Sequence, residues 1–139
     1  MIHPDFTQLL NMVMPFAKEC LSERGEFFPF GASITTDGKV QMNNASTKKS
    51  RPEAEEVVDV LIRNFAQLAG TLRATAICSH VQVPLPGESI ATPAISVALE
   101  HPSRDAVTVF LPYRKAPWGP MVYGKQFVTT EEIMFLPRR

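Results

Sequence analysis

Residues Arg51 to Leu72, RPEAEEVVDVLIRNFAQLAGTL, constrain the fold more than any other stretch. Ala54, Val57, Val58, Leu61, Ile62, Phe65, Leu68, Ala69 and Leu72 recur at helical spacing, while Glu55, Glu56, Asp59, Arg63, Asn64 and Gln67 fill the opposite side. Such spacing predicts an amphipathic helix over Pro52 to Leu72. Ser50 and Glu53 match a capping box, Pro52 suits a first turn, the glutamates favour the positive end of the helix dipole, and Gly70 helps end the helix. A helix with one greasy stripe has to be laid against something, and the flanking segments can supply a sheet.

A second helix is expected from about Asp5 to Arg24, where Phe6, Leu9, Leu10, Val13, Phe16, Ala17, Cys20 and Leu21 keep the same period and Gly25 is the stop. Pro15 lies inside that pattern and removes a backbone donor, so the spacing predicts a kink near Asn11 to Met14 or two short helices in succession. Phe27, Phe28 and Phe30 then gather around Pro29 as an aromatic plug for one end of the core. GASITTDGKVQMN reads as a hairpin. A three-residue loop with Gly38 left-handed in a bulge pairs Thr35 with Lys39 and puts Ala32, Ile34, Val40 and Met42 on one face. A two-residue turn at Asp37-Gly38 would mix the faces.

Beyond the helix at Pro52 the period changes to strict alternation. Ile77, Val81 and Val83 oppose Ala74, Ala76, Cys78, His80 and Gln82; Ile95, Val97 and Leu99 oppose Ala94, Ser96, Ala98 and Glu100; Val107, Val109 and Leu111 oppose Thr108 and Phe110. MVYGKQF reads as a last strand, and Thr129 to Arg139 is an ambiguous tail. The expected fold is therefore α+β, in the order α-β-β-α-β-β-β with a possible extra C-terminal strand. It has one antiparallel sheet of five to six strands and both helices packed on the branched-aliphatic face. A chain of 139 residues suits one domain from Met1 to Arg139.

That order resembles the roadblock and profilin-like arrangement, in which a hairpin and a later three-stranded meander share a sheet crossed by the intervening helix. From about Phe30 to Lys115 the phrases FGASITTDGKVQ, PEAEEVVDVLIRNFAQL and ISVALEHPSRDAVTVFLPYRK, with VALEH and VFLPYRK the specific part, also resemble a family of small uncharacterised bacterial proteins. That likeness implies a bacterial cytoplasmic setting and supplies no activity.

If both helices cover the aliphatic face, the reverse of the sheet carries Ala74, Ala76, Cys78, His80, Ser96, Ala98, Glu100, Thr108 and Phe110, with His80 near Ser96 or Ala98 and Glu100 near Thr108. Small side chains let another surface come close, and Phe110 can anchor it. Cys78, His80 and Glu100 are also the residues a hydrolytic or small-molecule-binding site would use, although no CxxC, HExxH, GxSxG or phosphate-loop spacing accompanies them. Tyr113, Arg114, Lys115, Trp118 and Tyr123 surround a Pro-Gly loop, an aromatic and basic composition that suits recognition of a partner.

Charge and composition narrow the classes. Fourteen basic and fourteen acidic side chains cancel, which removes the broad electrostatic case for nucleic acid or an anionic membrane. No apolar run approaches the roughly 20 residues of a membrane span. The front end MIHPDFTQLL, interrupted by Pro4 and Asp5, reads poorly as a signal peptide. Two cysteines, Cys20 and Cys78, suit free thiols in a reducing cytoplasm. The expectation is a non-enzymatic, cytoplasmic protein-binding module of adaptor, inhibitor or toxin-neutralising type. It would need no cofactor or metal and would self-associate as a homodimer through the open sheet face or an edge strand. Its candidate contact residues are His80, Ser96, Glu100, Phe110, Tyr113, Arg114 and Trp118.

Overall fold

The structure is a computed structural model that describes residues 4–44, 53–101, 105–115, 117, 119 and 121–130. The elements follow the order α1 (Pro4–Arg24), β1 (Phe30–Thr35), β2 (Val40–Asn43), α2 (Ala54–Leu68), a 3-10 turn (Ala69–Thr71), β3 (Leu72–Pro84), β4 (Ala91–His101), β5 (Asp105–Lys115), β6 (Met121–Tyr123) and β7 (Phe127–Thr130). This is an α+β fold built on one antiparallel sheet in the order β2-β1-β3-β4-β5-β6, with β7 also paired to β5. The expected last strand is divided between β6 and β7, which pair with different halves of β5: Lys115 faces Met121 and Phe110 faces Phe127.

The hairpin forms as its sequence requires. Thr35 N–H donates to Lys39 O at 2.9 Å, Gly38 N–H donates to Thr35 O at 2.9 Å, and Gly38 takes φ +93, a conformation that disfavours any residue with a Cβ. Ala32 pairs with Met42 and Ile34 with Val40, so the apolar residues share a face. α1 is one continuous helix in which Pro15 sits on the exposed side, rather than two short helices in succession. Gly25 N–H closes it on Leu21 O at 2.9 Å. α2 is shorter than its sequence period suggests: it ends at Leu68, and Leu72 already belongs to β3, where it packs under the helix. Its N-cap is Glu53 in extended conformation; the proposed capping residues Ser50 and Pro52 lie outside the described residues.

Both helices were expected on one side of the sheet; they lie on opposite sides. α1 sends Phe6, Leu9, Val13, Ala17 and Leu21 onto the face made by Ala32, Ile34, Ala74, Ala76, Cys78, Ile95, Val97, Leu99, Val109 and Leu111. α2 sends Val57, Leu61 and Phe65 onto the other face, against Leu72 and Ile77. The register explains the arrangement. Cys78 pairs with Val97, Ala76 with Leu99 and Ala76 with Ala32, so the small residues of β1 and β3 share a face with the branched residues of β4 and β5. Small side chains at the centre of that face let α1 approach closely, while Ile77 is left on the reverse for α2. Reading β3 as if its larger residues faced α1 turns the strand over by one residue, which moves every side chain to the wrong side. Close approach recurs beneath α2, where Gly31 has the Phe65 ring so near that a Cβ would lie 2.9 Å from Cζ.

Candidate functional site

Alternation along each strand sorts the predicted site residues into two groups. Ser96, Glu100 and Phe110 lie together on the face that carries α2, with Ser96 directly opposite Phe110 and Glu100 diagonal to Thr108. His80 and Cys78 do not join them. Cys78 is fully buried beneath α1, and His80 lies on that same side opposite Ile95, exposed near the end of the sheet. The expected neighbour Ser96 is therefore replaced by Tyr113, whose hydroxyl is hydrogen-bonded to His80 Nε2. Arg114 is exposed and paired with Val122, and Trp118 lies outside the described residues.

On the α2 side, one transverse row runs Ser79, Ser96, Phe110, Phe127, each directly opposite the next. Phe110 and Phe127 are half-buried and stacked, with ring centroids 5.0 Å apart and planes 24° apart. Ser96 lies below them at 7% exposure. α2 covers β1, β3 and the edge of Ala98, so among the described elements no helix crosses β5 and β7 on this side. In the three central rows the side chains of Val81, Ala94, Pro112, Ser96, Phe110, Phe127, Ala98, Thr108 and Thr129 carry no charge, and Glu100 and Arg114 bound those rows at either end of the same face.

The α1 side holds a different cluster. Phe16, Phe30, Phe27, His80, Tyr113 and Tyr123 form a chain of neighbouring rings, the closest pair being Phe16 and Phe30 at 4.9 Å. The aromatic plug predicted around Pro29 is thus real for Phe27 and Phe30, while Phe28 is 58% exposed. Lys18 caps the chain with its ammonium 4.8 Å from the centre of the Tyr123 ring. Burial, and then the nearby Tyr123, pushes the Tyr113 hydroxyl above the usual phenol range; burial alone does the same to Tyr123.

A third constellation has no signature in the sequence. Arg73 donates from Nε to Asp5 Oδ2 at 3.0 Å and from Nη2 to Oδ1 at 3.3 Å, and His101 Nε2 lies 3.2 Å from the same Oδ2. Asp5 sits in the first turn of α1, and Arg73 is the extra residue of a bulge, since Ile34 pairs with Ala74 and Thr35 with Leu72. The bulge frees Arg73 from the alternation and lets it reach across to α1. This network ties the front of α1 to β3 and β4; a bulge leaves no mark in a hydrophobic pattern.

The chemistry these arrangements permit is limited. Burial, with a smaller contribution from Cys20, pushes the Cys78 thiol far above the range in which a thiolate forms. Cys78 and Glu100 face opposite sides of the sheet, so Cys78, His80 and Glu100 do not converge on one point. Among the described residues no three His, Cys, Asp or Glu side chains are grouped as a metal would need, and no helix is long and apolar enough to cross a membrane. No family model matches the chain, and neither a curated protein nor a solved structure is significantly similar to it.

Proposed function

We propose that this chain is a cytoplasmic, non-catalytic protein-binding module that forms a homodimer through the β4, β5 and β7 face centred on Phe110 and Phe127, with Glu100 and Arg114 at its two ends. The observation that carries this reading is the stacked Phe110 and Phe127 pair standing beside Ser96 and Ser79 in a row without charge. Interface centres are depleted in charged residues and built on aromatic anchors beside small side chains. The face is favoured over the edges for a physical reason. The outermost strands β2, β6 and β7 have 4, 3 and 4 residues, and short edges offer few backbone groups for pairing. Free thiols at Cys20 and Cys78 suit a reducing compartment. An adaptor, inhibitor or toxin-neutralising role uses such a surface without needing a reacting group.

The patch is small. Ala94, Ser96, Thr108 and Pro112 are already buried within the chain, so the accessible part of the face is little more than Phe110, Phe127, Ala98 and Thr129, far below the roughly 800 Å² per partner of a standard interface. The dimer is therefore expected to exchange in the micromolar range, and concentration is the variable to control. Light scattering after gel filtration over a concentration series tests it. The expected result is a mass that rises toward twice the chain's 15.4 kDa, and that stays at the monomer value in Phe110→Glu. A clean monomer at high micromolar concentration, or a dimer indifferent to Phe110→Glu, overturns the reading.

A further inference from the structure

β3 and β4 run on past both of their neighbours. β1 pairs with β3 as far as Cys78, and β5 pairs with β4 as far as Ala94. Beyond those points Gln82 with Pro93, Val83 with Thr92 and Pro84 with Ala91 form a two-stranded arm that has no described strand on either flank. At about 3.4 Å per residue, these pairs carry the arm roughly 10 Å beyond the body of the sheet. A type II turn closes its tip: Glu88 N–H donates to Leu85 O at 2.9 Å, Pro86 takes the first central position, and Gly87, at φ +81, takes the second.

Two strands alone are marginal in water, and their bare edges invite further strands. Each strand of the arm carries a proline, Pro84 in β3 and Pro93 in β4, and a proline on an edge offers no N–H to an incoming strand. Charge, the other common guard of an exposed edge, is missing: between Ala74 and Leu99 the sole Asp, Glu, Lys or Arg is Glu88. Edge pairing is thus hindered while the side-chain surface stays apolar. Ile90, at 80% exposure, is the most exposed large apolar side chain among the described residues, and Val83 and Leu85 are half-buried.

We infer that the arm is a contact surface for a second copy of this chain, lying against that copy when the two Phe110 faces meet. The inference rests on the dimer proposed above and names the part of the molecule that completes it. Continuity is the first reason. Along β3 the α2 side runs Ser79, Val81, Val83, and along β4 it runs Ser96, Ala94, Thr92, so the arm prolongs the Phe110 face, with Arg114 at its β5 flank. Area is the second. The accessible face falls far short of a standard interface, and on the same side of the sheet the arm exposes the apolar surface that lies next to it. Stiffness is the third, because the prolines and the closed turn fix the shape of the arm in advance and little order is lost when it is covered.

The test is sedimentation equilibrium of the full chain over a concentration series, with Ile90→Asp and the uncharged Ile90→Ser set beside Phe110→Glu. Ile90 is exposed and lies outside both core clusters, so its variants should melt as the parent does, which circular dichroism checks. Both are expected to weaken self-association, Ile90→Asp by about tenfold or more. If Phe110→Glu abolishes the dimer while both Ile90 variants leave it unchanged, the dimer stands and the inference falls, and the arm is left to a different protein. If the Ile90 variants weaken the dimer and Phe110→Glu does not, the Phe110 face is the part that falls. A parent chain that stays monomeric at high micromolar concentration overturns both.

Discussion

Gly31→Ala is the substitution through which the contact between α2 and the sheet can be measured. Gly31 has no positive φ, so nothing in its own backbone excludes alanine. By that argument alone the change should stabilise the protein by about 0.4–1 kcal/mol, because the unfolded chain loses freedom. The surroundings reverse the sign. A Cβ at Gly31 would lie 2.9 Å from Phe65 Cζ, 3.2 Å from Phe65 Cε2 and 3.1 Å from the Ala76 carbonyl oxygen. The ring can swing by about half an ångström at the expense of its contacts, but the carbonyl belongs to a paired strand and can yield only with it. Overpacking of this kind costs about 1–3 kcal/mol. The net expectation is a loss of about 1–2 kcal/mol, or about 4–8 °C in melting temperature for a chain of this size. Urea titration followed by circular dichroism gives the free energy, with the melt as a second measure. Phe65→Leu removes the Cζ atom, so in that background Gly31→Ala should cost about 1 kcal/mol less, leaving only the clash with the carbonyl. An alanine variant as stable as its parent, or one equally costly with and without Phe65, would show that the ring does not rest on Gly31.

Other consequences can be checked with simple measurements. Leu61→Asp should unfold the protein, because it puts a charge into the buried stripe of α2 and forfeits roughly 2 kcal/mol or more of burial; a native circular dichroism spectrum would contradict the assignment of that helix face. A thiol reagent at mildly alkaline pH should label Cys20 and leave Cys78 untouched until denaturant is added, since burial holds the Cys78 thiol protonated; rapid labelling of both in the native protein would count against the fold around β3. Tyr113 and Tyr123 have raised pKa values in the fold, so the stability they contribute is complete below the ordinary phenol range and is lost as pH rises through their native values. Ultraviolet absorbance should accordingly show phenolate appearing at higher pH in native than in unfolded protein, and coincident titrations would refute the burial argument.

Much of the architecture was legible in residue spacing, and what was missed shares one cause. Both helices, the bulged hairpin and the three long strands follow from periods of about 3.6 and 2 that no tertiary contact contradicts. The faces of β4 and β5 were also plain, because Ile95, Val97 and Leu99 contrast with Ser96, Ala98 and Glu100. β3 offered no such contrast. Ala74, Ala76 and Cys78 on one side and Ile77 on the other are all apolar, and both sides are buried, so only the register with Val97 decides which helix each side meets. A clue to two-sided burial was available in β1, where Gly31 and Ser33 alternate with Ala32 and Ile34 and all of them are buried. Among the candidate site residues, Ser96, Glu100 and Phe110 were grouped correctly because they sit on strands with clear faces. His80 was misplaced along with the rest of β3. The Asp5, Arg73 and His101 network depends on a bulge and on contacts spanning 68 and 96 residues, which no local pattern encodes.

One layer of this protein rests on a single covalent thread. α1 is joined to β1 only through residues 25–29, and the hydrophobic side it seals includes Ile95, Val97, Leu99, Val109 and Leu111. A protease that clipped the chain in that stretch would leave every strand intact, yet once the severed helix diffused away a slab of branched side chains would meet water. Packing and the Asp5 contacts with Arg73 and His101 are what would oppose that loss, so after such a cut the solubility of the sheet would rest on non-covalent contacts alone.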